Sequence, residues 1–256
     1  MKRTILLDGD IVVHKIASAC EEATKWDDDL WTYHANEDEA KSYLDNHIQM
    51  LMDQLECDKV VVALTDFKKN FRKLVNPDYK ANRVKTRKPI LFKTLISYLR
   101  NHYRTFMLNG LEADDVLGVL ATYKGELFIS GDDDDPIVVS TDKDLTTIPC
   151  VLFNPDKDVF PNRITEEEAN YNFYTQVLTG DATDNYRGCP KIGPKTAEKL
   201  LEKSDDYWQT IVTTYAKAGL DEEEAIMQAR MARILRAEDF NLKSESVVLW
   251  QPSIKK

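Results

Sequence analysis

The sequence predicts an α/β fold: a mostly parallel central sheet with helices on both faces, followed by a helical C-terminal region. Three observations predict it. Apolar runs of β type stand at Thr4–Leu7, Lys59–Leu64, Ile137–Ser140 and Val151–Phe153, and longer helical patterns separate them at Glu37–Glu56, Pro89–His102 and Leu111–Tyr123. These runs are continuously apolar rather than alternating, the pattern of strands buried on both faces. Beyond Thr165 the chain reads as helix after helix: Glu166–Leu178, Pro194–Lys203, Asp206–Ala218 and Glu222–Arg236. No repeat or Gly/Ser-rich linker interrupts it, so residues 1–164 and 165–256 are expected to pack as one compact unit.

With 256 residues, 43% of them hydrophobic, the chain can bury a substantial core. No apolar run approaches the roughly eighteen residues of a membrane span. The apolar stretch that begins at Ile5 meets Asp8 too soon for a secretory leader, so a cytoplasmic location is expected. Cys20, Cys57, Cys150 and Cys189 are scattered without a C-x-x-C pair, which argues against a disulfide framework. His14, His34, His47 and His102 show no metal-binding spacing either. Any metal must therefore be held by oxygen.

The net charge of −10 at first disfavours a nucleic-acid partner, but its distribution reverses that reading. Residues 67–104 hold 12 of the 34 Lys and Arg and a single acid, Asp78, giving +11 there and −21 elsewhere. A solvated helical surface usually mixes both signs. A one-signed stretch suits a phosphate backbone. The acidic run Gly131–Pro136 is expected as an exposed turn between strands.

Three apolar runs lead into aspartate: Ile5-Leu6-Leu7 into Asp8, Val61–Thr65 into Asp66, and Val138–Thr141 into Asp142, with Asp144 beyond. In a parallel sheet these positions share one edge, at the carboxyl ends of the strands where ligands bind. One such Asp is ordinary turn chemistry; three are not. Leu111-Glu112-Ala113-Asp114-Asp115-Val116 opens a helix, where acids complement the helix dipole. Yet Glu112 and Asp115 lie on or beside the stripe marked by Val116, Val119, Leu120 and Tyr123, and acids facing a core are costly unless paired or metal-bound. Gly180-Asp181-Ala182-Thr183-Asp184-Asn185 adds two more carboxylates. Nine acids without a histidine would repel one another unless hard cations, Mg²⁺ or Mn²⁺, relieve them. Two such ions can clamp the attacking and leaving oxygens of an in-line phosphoryl displacement.

In order along the chain, L-L-D-G-D, the Asp66 strand end, D-Y-K-A-N-R (Asp78–Arg83), L-E-A-D-D, S-T-D-K-D-L, G-D-A-T-D-N and G-C-P-K-I-G-P-K-T-A (Gly188–Ala197) resemble the motifs of 5′-nucleases, the flap endonuclease family. The resemblance runs from about Thr4 to Lys203 and looks closest to the stand-alone 5′–3′ exonucleases of phages, M-A-R-I-L-R and L-W-Q-P near the C-terminus included. It implies a PIN-like nuclease core with a basic helical arch at about 67–104, and a C-terminal DNA-binding region with a helix–turn–helix variant at about 186–203. It implies one metal site around Asp8, Asp66, Glu112, Asp114 and Asp115, and a second around Asp142, Asp144, Asp181 and Asp184. Lys80 and Arg83 match arch residues that contact the scissile or terminal phosphate, and Tyr79 an aromatic that stacks on a base. Arg72, Lys85, Arg87 and Lys88 are further expected DNA contacts. So are Gly188, Lys191, Gly193, Lys195 and Thr196, in a turn that grips duplex backbone through main-chain N–H groups and a K⁺ ion. The implied activity is 5′–3′ exonuclease and 5′ flap endonuclease, acting on DNA or an RNA–DNA hybrid as a monomer.

The match has departures. Lys191 stands where the family usually has Gly, which questions a positive φ there. Asp10 replaces a small polar residue and is expected to support the metal ligands indirectly. Two rival readings remain. Asp8-Gly9-Asp10 also resembles the D-x-D of haloacid-dehalogenase-type Mg²⁺ phosphatases, which leaves the basic stretch unused. A DNA-binding accessory protein without catalysis leaves the nine costly acids unexplained.

Overall fold

The computed structural model describes residues 3–83, 87–125 and 135–252. Its centre is a six-stranded sheet. Strand β1 (Thr4–Asp8) lies between β4 (Lys59–Ala63) and β6 (Ile137–Val139). Beyond β4 lies β5 (Arg104–Phe106), and beyond β6 lie β7 (Cys150–Phe153) and β8 (Asn162–Ile164). Neighbouring pairs are parallel except β7–β8, so the expected mostly parallel sheet carries one antiparallel edge strand.

Because side chains alternate along a strand, β1 serves two cores at once. Ile5 and Leu7 join Val62 and Val139 under helices α1 (Gly9–Ala19), α2 (Glu37–Gln54) and α4 (Phe92–His102). Leu6 joins Val61, Ala63 and Val138 on the other face, under α5 (Ala113–Thr122) and the returning segment Ile234-Leu235. A third cluster, around Phe173, Leu178, Tyr215 and Ala229, holds α6 (Glu166–Thr179), α7 (Pro194–Leu201), α8 (Tyr207–Lys217) and α9 (Glu222–Ala232) together. Local chemistry sets the helix starts. Asn36 caps α2 by accepting from Asp38 N at 3.0 Å and Glu39 N at 3.2 Å. Thr165 and Glu168 close a reciprocal capping box on α6.

Several features differ from the sequence expectation. Helix α1 and the edge strands β5 and β8, each strand three residues long, stand where no element was expected. A hairpin of β2 (Glu22–Asp27) and β3 (Leu30–His34) stands where no strand was expected; every residue in it is exposed, so burial imposes no periodic pattern. The basic stretch is not continuously helical among the described residues. Only α3 (Phe71–Val75) and α4 form in it, while 76–83 are turns. Pro77 and Pro89 oppose a continuous helix, and Lys80 takes a φ of 56°. Lys85 and the acidic residues 131–134 lie outside the described residues.

Candidate active site

The three central strands deliver carboxylates to one edge. Asp8 ends β1, caps α1 by accepting from Ile11 N at 3.1 Å, and is buried. Its other oxygen accepts from Ser140 Oγ at 2.8 Å, and the same Ser140 oxygen accepts from Asp142 N at 3.1 Å. Ser140, at the end of β6, therefore ties the two aspartates' loops together. Gly9 is required beside Asp8 because α1 runs so close to β4 that a Cβ would sit 2.5 Å from Val62 Cγ1 and 2.9 Å from the Ala63 carbonyl.

Burial pushes Asp8 up to about 7, with the charges of Asp10 and Asp142 adding to the rise. Burial likewise raises Asp114, in the first turn of α5, well above the carboxylate range, and Asp8, Asp142 and Glu112 push it further. Asp144 is raised to about 6 by burial and then by Asp142; its Oδ1 accepts from Gln176 Nε2 on α6 at 2.7 Å. Asp10 is raised too, first by burial, with the charge of Lys88 opposing and that of Glu112 adding. These groups repel one another as ions, and hard cations are what such a donor set takes. Among the described residues no three acid, His or Cys side chains stand close enough to hold an ion as they are. The carboxylates meet as an electrostatic cluster.

Asp181 and Asp184 ride on a pinched loop. Gly180 (φ 66°) and Gly188 (φ 64°) touch at its base, where a Cβ on either would lie 2.3 Å from backbone of the other arm. Asp181 and Tyr186 exchange backbone bonds within it, and Cys189 N donates to Leu178 O at 2.8 Å. The D-Y-K-A-N-R turn docks on this loop. Lys80 N donates to Asp184 O at 2.9 Å, Asn82 Nδ2 to Ala182 O at 2.7 Å, and Asn185 Nδ2 to Asp78 O at 2.7 Å. Lys80 Nζ lies 2.6 Å from Glu112 Oε1 and 3.5 Å from Asp184 Oδ2, and Arg83 pairs with Asp184. Burial alone would raise Glu112, but Arg72 and Lys80, with hydrogen bonds from Lys80 and Tyr79, overcome it and hold Glu112 at about 2.

Several expected site residues do other work. Asp115 is fully buried and its carboxylate is saturated: Arg72 donates to both oxygens at 2.6 and 2.7 Å, Leu235 N to one at 3.2 Å and Glu112 N to the other at 3.3 Å. It has no lone pair left for a metal. Arg72 is 3% exposed and cannot reach DNA, because its remaining N–H groups go to Met231 O, Arg233 O and Glu112. Tyr79 is buried in the third core, its hydroxyl 2.9 Å from both Glu112 and Asp184, so its ring is not free to stack on a base. Asp66 accepts from Lys68 N at 2.9 Å and Gly110 N at 3.0 Å and so fastens its own loop; the Gly110 bond leads in holding its carboxyl below the ordinary value. The charges that bear on Asp8 are those of Asp10 and Asp142, and those that bear most on Asp114 are Asp8, then Asp142 and Glu112. Gly188 is buried with its N–H given to Gln228 Oε1 at 2.9 Å, which removes it as a phosphate contact. Lys191 keeps the positive φ (65°) despite its side chain, and with Gly193, Lys195 and Thr196 it is exposed around the start of α7. Arg87 and Lys88 are exposed. Ser140 was within reach of the sequence, two residues before Asp142 in the same motif; Gln176, on a distant helix, carried no signal.

Residues 3–172 match the family model described as the 5′–3′ exonuclease, N-terminal resolvase-like domain. The chain belongs to the 5′–3′ exonuclease family. It is 29% identical to the exodeoxyribonuclease of Enterobacteria phage T3 over 98% of this chain and 93% of that one. It is also 29% identical to the exonuclease of Escherichia phage T7 over 98% and 94%. The fold matches the T5 D15 protein co-crystallised with metal ions at a TM-score of 0.67, with 17% identity over 91% of this chain and 90% of that one. It matches the T5 D15 flap endonuclease in a pseudo-enzyme–product complex with DNA and metal ions at 0.63, with 16% identity over 91% and 89%. Family membership disposes of the haloacid-dehalogenase reading.

Proposed function

We propose that this protein is a 5′–3′ exonuclease and structure-specific 5′ flap endonuclease that hydrolyses DNA phosphodiester bonds with divalent metal, leaving 5′-phosphate and 3′-hydroxyl ends. The observation that carries the proposal is the meeting of acids from separate chain segments at one sheet edge, faced by Lys80 and Arg83. The named activities of the phage T3 and T7 relatives, and the DNA product and metal ions in the T5 complex, support it. Asp8, Asp114, Asp142 and Asp144 would hold Mg²⁺ or Mn²⁺, two ions or more, with Glu112, Asp181 and Asp184 beside them. Bound there, the ions supply a lowered water pKa and positive charge next to the phosphate. Ser140 and Gln176 fix the acids' rotamers. Lys80 and Arg83, turned from carboxylate to phosphate, would stabilise the charge that grows on the non-bridging oxygens as water attacks and the 3′-oxygen leaves.

The exposed turn and helix start at Lys191, Gly193, Lys195 and Thr196 are assigned to duplex backbone, with a K⁺ ion as companion. The start of α7 has Pro194 at its first position and no side-chain cap, so the positive end of its helix dipole stands beside the exposed Lys191 and Lys195, a setting that suits an anion. Arg87 and Lys88 are assigned to phosphate. Among the described residues no helix is long and apolar enough to cross a membrane. The test is digestion of 5′-labelled duplex and 5′-flap DNA with Mg²⁺. Mononucleotides or short oligonucleotides with 5′-phosphates are expected; intact substrate in both Mg²⁺ and Mn²⁺ would refute the proposal.

A further inference from the structure

The β2–β3 hairpin has no place in the chemistry above, yet it is built in an unusual way. It exposes Trp26 (68%), Leu30 (57%), Trp31 (46%) and Tyr33 (39%). Large apolar groups in such number on a two-stranded ribbon need a reason. The pairing register sorts them. Ala23 opposite Tyr33 and Lys25 opposite Trp31 share one face; Thr24 and Thr32 share the other, where Trp26 Nε1 donates to Thr32 Oγ1 at 2.8 Å.

The first face is continuous with the candidate active site. Lys88 acts electrostatically on Asp10 and sits 3.8 Å over the ring of the exposed Phe67. Its neighbour Arg87 stacks 3.7 Å over Tyr33 and pairs with Glu21 at the root of the hairpin, while Ile90 N donates to the same carboxylate at 2.7 Å. Two residues along the same strand face comes Trp31, with Lys25 Nζ 5.9 Å over its ring. From the acids outward the order is Lys88, Phe67, Arg87, Tyr33, Trp31, Lys25. Rings and cations in turn are what a single strand of nucleic acid asks for, rings for its bases and cations for its phosphates.

The acids nearby mark the limits of this surface. Glu21 is neutralised by Arg87 and the Ile90 amide. Glu22 pairs with His34 in register on the opposite face. Asp27, Asp28 and Asp29 occupy the tip, where Asp28 pairs with Lys25 at 3.2 Å, and would turn phosphate away beyond Trp31.

We infer that the Tyr33–Trp31 face of the hairpin, with Phe67, Arg87 and Lys88, is a track for single-stranded DNA extending from the candidate active site. The inference rests on the nuclease reading and adds a site to it. It explains why an exposed ribbon keeps two ring–cation pairs and why its root is fastened to the basic stretch. Trp31 lies outside the carboxylate cluster, so its replacement leaves that cluster intact.

The test is DNA binding without metal, in EDTA, comparing a blunt duplex with the same duplex carrying an oligothymidine 5′ overhang. Trp31→Ala is expected to weaken overhang binding about tenfold, the size of one base–aromatic stack, and to leave blunt binding unchanged. Trp31→Phe should restore most of the difference. In a Trp26→Phe background the overhang should quench tryptophan fluorescence, and adding Trp31→Ala should remove that quenching. Equal weakening of both substrates, or none on the overhang, would overturn the track. Cleavage of duplex and 5′-flap DNA in Mg²⁺ and in Mn²⁺ separates the two ideas. A wild type that does not cut refutes the nuclease reading, whereas one that cuts while Trp31→Ala binds overhangs normally refutes only the track.

Discussion

Arg72 offers a sharp test of how this site is held, because the family resemblance implies a DNA contact there and geometry places it in the core. Arg72→Ala would remove a guanidinium whose five N–H groups all have acceptors: Met231 O at 3.1 Å, Arg233 O at 2.6 Å, Glu112 at 3.4 Å and both oxygens of Asp115. Asp115, with no exposed surface, would keep only the Leu235 and Glu112 amides. Breaking a buried pair from one side costs about 3–5 kcal/mol, because it strands a charge that burial has cut off from water. For a chain of this size that is a fall of roughly 6–20 °C in melting temperature. Urea unfolding followed by circular dichroism measures it, with the slope expected to stay constant. The double variant Arg72→Met, Asp115→Leu should recover most of the loss, since no charge is then left behind. The reasoning fails if Arg72→Ala costs less than about 1 kcal/mol, the range of an exposed pair, while DNA affinity drops.

Three further predictions follow from the same geometry. Asp114→Asn or Asp142→Asn should abolish most cleavage in Mg²⁺ while DNA binding survives, as gel shift in EDTA would show; wild-type turnover would remove these residues from the metal site. The folded, metal-free chain holds Asp8 near 7 against an ordinary 3.8, and Asp114 and Asp144 are raised as well. The folded state then binds more protons than the unfolded one between about 4 and 7, so stability without metal should fall as pH rises through that window. Mg²⁺ competes with those protons, so it should raise the melting temperature clearly at pH 8 and little at pH 5. Equal shifts at both pH values would count against these acids as the binding groups. Finally, Gly188→Ala should destabilise the chain and impair metal-dependent cleavage together, because its Cβ would press on Gly180 N and distort the loop carrying Asp181 and Asp184. Unfolding and turnover measured on one preparation check this; a silent substitution would mean that the pinch is not needed.

Much of this protein was legible before folding. Continuous apolar runs fix strands buried on both sides, and the spacing of helical patterns between them requires crossovers, so a parallel sheet follows from sequence alone. The acids that follow those strands are placed at one edge by the same logic: Asp8 and Asp142 act on Asp114, and Asp142 acts on Asp8 and Asp144. What sequence could not decide is which acid faces the open site and which has a partner inside. Asp114 and Asp115 are neighbours of identical chemistry; only the helix register on the sheet and the arrival of Arg72, Met231, Arg233 and Leu235 from distant segments make the second a structural anchor. Tyr79 and Asp66 were settled in the same way, by partners some 30 to 105 residues off in the chain. The hairpin escaped because it buries nothing. Periodicity records burial, whereas the partner of a buried charge is a property of three-dimensional packing that no local pattern encodes.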